Sequence, residues 1–270
     1  MASRSAKLTE GSVARHLFNM TLPMLIGITT LMAQSFIDAY FLGIVGDRAL
    51  AAFSFGYPII MIVTSVAIGL GAGTSSVVAR ALGADDHERA TRLSTDSLLL
   101  CLVIAGACMV IGIASINPLF RALGAPEDLL PLIRGFMKIV YFAVPFIVLG
   151  MVATSTMRST GDTRLPSMLM IGGAILNVVL DPIFIFGLGP IPELGLNGAA
   201  IAAFLSRGLF FFAAFYYLAF RLDLVTLEKP DREVMRRSWR DILHVGLPAA
   251  GTNIIVPLGL TLVTAMIAQF

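Results

Sequence analysis

The chain has 270 residues, of which 57% are hydrophobic and 13% charged, about half the ~25% charge of an ordinary globular chain. Its 19 basic and 17 acidic residues cannot cover a water-soluble protein of this size, and a mean hydropathy of +0.88 points to lipid as the solvent for most of it. A soluble enzyme, a disordered linker and a disulfide-stapled secreted domain are thereby excluded, and the length accommodates about seven membrane spans of ~20 apolar residues plus loops.

In chain order, polar stretches separate spans at 17–45, 51–82, 93–118, 129–156, 163–188, 194–220 and 242–270. The first 16 residues are basic but lack a short apolar run with a small-residue cleavage site, so they read as a cytoplasmic N-terminus and not a removable signal. The second span contains Gly69 and Gly73, a small-xxx-small pair that permits close helix approach. Its glycine-rich run follows no strand and lies in lipid, which rules out a nucleotide loop. Cys101 and Cys108 share the third span and read as packing residues. Asp85, Asp86, His87 and Glu88 form a solvated turn, not a metal site, and Arg134 and Lys138 sit at the outer start of the fourth span as interfacial residues.

Charge sets the orientation. Arg4, Lys7 and Arg15, then Arg80, Arg89 and Arg92, then Arg158 and Arg164, and finally the basic residues from Arg221 to Arg240 all fall on the side of the N-terminus; the opposite loops hold Arg48 and Arg121. This asymmetry predicts a cytoplasmic N-terminus. Segment 221–241 reads as an amphipathic cytoplasmic linker with Trp239 at headgroup level and its arginines facing anionic lipid. Acidic residues are interleaved through it, which argues against nucleic acid.

The pattern restarts beyond the linker. Leu22-Pro23 and Leu247-Pro248 stand at the same offset as Arg15 and Arg240. After six spans, this predicts a second repeat of the same orientation, beginning at 242 and broken off at Phe270. On this reading residues 17–220 are one six-helix lobe of a twelve-helix, two-lobe protein of about 450 residues. The missing C-terminal lobe is then its first partner.

Charges in the middle of spans carry the functional signal, because each is costly unless it faces a partner or a water-filled cavity. Asp38 lies deep in the first span and Asp181 near the middle of the fifth. Gln34 precedes Asp38 by one helical turn, and Asn177 precedes Asp181 in the same way, so each polar pair shares a helix face. Pro182 cannot donate an N–H and loosens the backbone beside Asp181. Two carboxylates, an amide oxygen and a loosened backbone suit a hard monovalent cation or a shared proton, since burial and a neighbouring carboxylate both favour a protonated group. Arg207, in the sixth span, reads either as a counter-ion or as a side chain snorkelling to the inner surface. Tyr40, Tyr57, Met61 and Met151 join Gln34 and Arg207 as candidates to line a substrate cavity. No nucleophile–base constellation appears, so the chain is not read as an enzyme.

These features together resemble the multidrug and toxic compound extrusion (MATE) transporters over nearly the whole chain. The carriers are Leu22, Pro23, Gln34 and Asp38; the glycine-rich second span ending VVARALGA; RSTGDTRLP at Arg158–Pro166; and NxxxDP at Asn177, Asp181 and Pro182. The resemblance implies an all-α polytopic membrane protein, a cofactor-free antiporter that exports small organic, often cationic, compounds in exchange for H⁺ or Na⁺. It places the ion site at Asp38, Asn177 and Asp181, with no other metal. A polar Thr often accompanies these from the sixth span, where this chain has Ala199 and Ala203. The implied location is the plasma membrane of a bacterium or archaeon, the inner membrane if Gram-negative. Two alternatives stand beside this reading: a lipid-linked oligosaccharide flippase of the same superfamily, which needs a strongly cationic cavity, and a non-transporting membrane module.

Overall fold

A computed structural model describes residues 13–188, 191–226, 228 and 231–267. The N-terminal segment with Arg4 and Lys7, Lys229 in the linker and the chain end at Phe270 lie outside the described residues. Seven helices follow in order: α1 Val13–Val45, α2 Asp47–Gly83, α3 His87–Ala122, α4 Leu130–Ser159, α5 Arg164–Phe186, α6 Gly195–Phe220 and α7 Arg232–Ile267. All seven are long and apolar enough to cross a membrane, and the chain is a multi-pass membrane protein.

Local chemistry ends the helices. Gly46, at φ +136°, breaks the chain between α1 and α2, and Gly187, at φ +73°, closes α5 in the left-handed conformation that glycine tolerates best. Asp86 caps α3 by accepting the Arg89 amide at 3.0 Å. In the RSTGDTRLP turn, Gly161 supplies a positive φ while Asp162 Oδ1 accepts the amides of Arg164 (3.0 Å) and Leu165 (3.3 Å), orienting the start of α5.

α4 is the central helix, packed against α2, α3 and α6, and its buried face carries Ile133, Met137, Val144, Val148 and Met157. α1 is the least enclosed, touching mainly α5, and much of its apolar surface is exposed. α7 lies along α2. There Gly69 faces Gly246 and Ala250, Gly73 faces Ile242 and Gly246, and Ser65 Oγ donates to the Asn253 carbonyl at 3.0 Å. The close approach expected of Gly69 and Gly73 is thus made to α7.

Helix α7 starts at Arg232 and not at 242, so half of the segment read as a linker is its first turns. The Trp239 indole N–H donates to the Asp96 carbonyl at 2.9 Å, and the ring is partly buried against α3. The remaining connection is held by α3 as well. Thr91 Oγ1 donates to the Asp223 carbonyl (2.9 Å), the Thr226 amide to Thr95 Oγ1 (3.0 Å), and Arg92 Nη1 to the Glu228 carbonyl (3.2 Å). Arg92 Nη2 also forms a 3.0 Å ion pair with Asp96, whose side chain is fully buried. Asp96→Ala, which strands the Arg92 charge, is expected to cost about 3–5 kcal/mol, whereas Arg92→Met with Asp96→Leu recovers most of it. Thermal unfolding in detergent checks this, and equal midpoints for the single and double variants would contradict it.

Candidate functional site

The site is built from two parallel helices in constant register. Gln34 and Asp38 stand one turn apart on α1, as do Asn177 and Asp181 on α5. Because α1 and α5 run in the same direction, Gly27 packs beside Met170 and Ser167, Gln34 meets Asn177, and Asp38 meets Asp181. The two polar pairs become two rungs between the helices. In the first, Gln34 Nε2 donates to Asn177 Oδ1. In the second, the Asp38 and Asp181 carboxyl groups come within hydrogen-bonding range of each other.

Within α5, Asn177 Nδ2 donates to Asp181 Oδ1 at 3.4 Å, linking the rungs. Asn177 and Asp181 are each only 1% exposed. Asp181 Oδ2 and Asp38 Oδ1 are buried without any hydrogen-bond donor. Buried carboxylate oxygens in that state are costly.

The third wall is α6, antiparallel to α5. Gly198 lies against the Phe184 and Ile185 backbone near one end of the contact, and Phe210 lies over Gly173 near the other. Arg207 falls between these points, partly buried, within electrostatic range of both Asp38 and Asp181. It makes no ion pair within 4.0 Å among the described residues. Ala199 and Ala203 contribute no ligand, so the polar group that α6 brings to the site is a cation and not an oxygen.

The other proposed cavity residues are dispersed. Tyr40 is 67% exposed on α1, its ring against Phe41. Tyr57 packs beside Phe53 on α2, Met61 is partly buried on the same helix, and Met151 packs into the core on α4. Arg134 is exposed and donates to Asn117 at 3.1 Å, and Lys138 is exposed, in keeping with interfacial positions. No cluster of three His, Cys, Asp or Glu side chains that would hold a metal occurs among the described residues. Sequence reasoning passed over two polar residues. Asp96 was legible as the i+4 partner of Arg92, and Asn197, whose Oδ1 is buried and unpartnered beside Gly135 of α4, carried no comparable signal.

Residues 23–183 match the family model described as MatE. A protein named FAD transporter from Shewanella oneidensis is 40% identical over 262 residues, covering 97% of this chain and 58% of that protein. The probable multidrug resistance protein YoeA of Bacillus subtilis is 29% identical over 216 residues, covering 79% of this chain and 47% of YoeA. Among solved structures, an outward-facing multidrug resistance MATE family transporter of the MOP superfamily superposes with a TM-score of 0.83 at 31% identity, covering 94% of this chain and 55% of its own. A MOP superfamily transporter from Pyrococcus furiosus, described as having a binding pocket of reverse polarity, superposes equally well. The chain spans about half the length of these relatives.

Proposed function

The chain belongs to the MATE family of membrane transporters, which are not enzymes, and we propose that it supplies the ion-coupling half of an exporter that exchanges small organic compounds for H⁺ or Na⁺. The observation that carries this reading is the Asp38–Asp181 pair, each with one buried, unpartnered oxygen, held between α1 and α5 with Asn177 and Gln34 alongside. An ion or proton neutralises the pair and favours one packing of α1; substrate binding favours the other. The sparse packing of α1 and the proline at position 23 support its role as the moving element.

Residues 17–220 form the N-terminal lobe, 221–231 the connection, and α7 from Arg232 onward the start of a second lobe. The Leu-Pro offset and the half-length coverage of relatives support that division. The arginine-rich end faces the cytoplasm of a bacterium or archaeon, in the plasma membrane, which is the inner membrane if the cell is Gram-negative.

For the substrate, the anionic site left when the pair loses its proton favours an organic cation, and the multidrug relative YoeA supports a small organic compound as cargo. A second reading, flavin adenine dinucleotide, is favoured by the Shewanella oneidensis relative. The flippase alternative has less support, because Arg207 is offset by two carboxylates while Arg134 and Lys138 are exposed elsewhere.

Efflux of ethidium and of flavin adenine dinucleotide from vesicles carrying the full-length protein, under imposed pH and Na⁺ gradients, tests this. Acceleration by an oppositely directed ion gradient is expected for one of the two substrates. Efflux of both that ignores both gradients would overturn the antiport reading.

A further inference from the structure

We propose that Arg207 is the resident cation of the coupling site, so that the Asp38–Asp181 pair loads a single proton and excludes Na⁺. This rests on the reading of that pair as the coupling site, and it names the ion the site takes.

The first argument is charge. Two carboxylates without a counter-charge carry −2 and attract two monovalent cations, or one cation and a proton. With the Arg207 guanidinium in electrostatic range of both, the unloaded site carries −1 and one proton makes it neutral. A neutral site is the state that a low-dielectric interior favours. Among the described residues, the charged groups acting on one another here are three: Asp38 from α1, Asp181 from α5 and Arg207 from α6. The neutral amides of Gln34 and Asn177 are the remaining polar neighbours, and α2 and α4 send no charged side chain to the group.

The second argument is ligand chemistry. A hard cation needs a shell of several oxygens. At the level where α6 would complete such a shell it offers Ala199 and Ala203, and the polar side chain it brings instead repels a metal cation. The Asn177 oxygen is already taken by the Gln34 amide, and Asp181 Oδ1 by the Asn177 amide. What remains is Asp38 Oδ1 and Asp181 Oδ2, both buried and lacking a donor. A proton held between the two carboxyl groups supplies a donor at a place where Na⁺ would find too few oxygens. Because Arg207 forms no close ion pair with either carboxylate, it lowers the site's charge without occupying those oxygens.

Loading follows from the same count. The unloaded site at −1 accepts one positive charge, carried by a proton or by an organic cation, and the two compete, which is the sign of linkage that antiport requires.

The test is binding of radiolabelled Na⁺ to the purified full-length protein at mildly alkaline pH, with size-exclusion profiles to confirm folding. The wild type and Arg207→Lys are expected to show no saturable binding. Arg207→Gln, which removes the charge and adds an amide oxygen, is expected to bind Na⁺ at least roughly tenfold more tightly than the wild type; Arg207→Met, which removes the charge but adds no oxygen, is expected to bind it more weakly than Arg207→Gln, and Asp38→Asn added to Arg207→Gln is expected to abolish binding. Saturable, Asp38-dependent Na⁺ binding by the wild type overturns the proposal, as does a folded Arg207→Gln protein that binds none. The coupling-site reading fails separately, if Asp38→Asn or Asp181→Asn leaves gradient-driven export intact.

Discussion

Asp38→Asn and Asp181→Asn, each made alone in the full-length transporter, are expected to lower gradient-driven efflux by more than about tenfold, to the level of vesicles without the protein. Asparagine keeps the size and most hydrogen bonds of aspartate but neither carries a charge nor releases a proton. At position 181 the substituted side chain still presents an oxygen to Asn177 Nδ2, which bonds Asp181 at 3.4 Å. The helix pair therefore keeps its register, and what is removed is the ability of the site to alternate between a charged and a neutral state. The two variants act on one shared proton, so the double variant is expected to be no worse than either single one. Size-exclusion profiles and thermal midpoints in detergent are the control for folding. Coupled efflux at wild-type rates from either single variant would sink the assignment.

The second large effect concerns architecture. Lipid gives no hydrophobic drive for helices to associate, so packing and close approach carry the contact. A Cβ placed on Gly69 would stand 2.6 Å from both the Ala250 amide nitrogen and the Gly246 carbonyl oxygen, and one on Gly73 would stand 3.0 Å from the Gly246 amide nitrogen. These are backbone atoms and cannot rotate away. Gly69→Ala and Gly73→Ala are each expected to cost about 1–3 kcal/mol as α2 and α7 are forced apart, and valine at either position more. Gly106 and Gly172 have open space where a Cβ would go, so their alanine variants serve as controls. Thermal midpoints in detergent are expected to fall by several degrees for the first pair and stay within about a degree for the controls. Equal midpoints in both sets would show that the α2–α7 seam does not hold the helices together.

The spans themselves were legible because hydropathy is a one-dimensional quantity, and the seven helices fall where the apolar runs do. The reading erred at the start of α7, where Arg232–Asp241 looked like linker. Its charged residues line an exposed face, while Trp239 and Ile242 pack inward, and hydropathy averaged over a window hides that division. The ion pair of Arg92 and Asp96 was missed for a related cause. Their spacing was visible, but the burial that makes it consequential comes from the connecting segment folding back over α3.

The sequence alone determined that this is a multi-pass helical membrane protein and that Gln34 shares a face with Asp38, as Asn177 does with Asp181. Hydropathy and the turn of one helix are local properties. Only the tertiary structure decided that the four side chains meet, that Arg207 stands beside the carboxylates, and that Gly69 and Gly73 serve α7. Those outcomes depend on the register of one helix against the next, which is set by contacts such as Gly27 on Ser167 and Gly69 on Gly246, between residues far apart in the chain. A single helix carries no record of the depth at which its neighbour will lie.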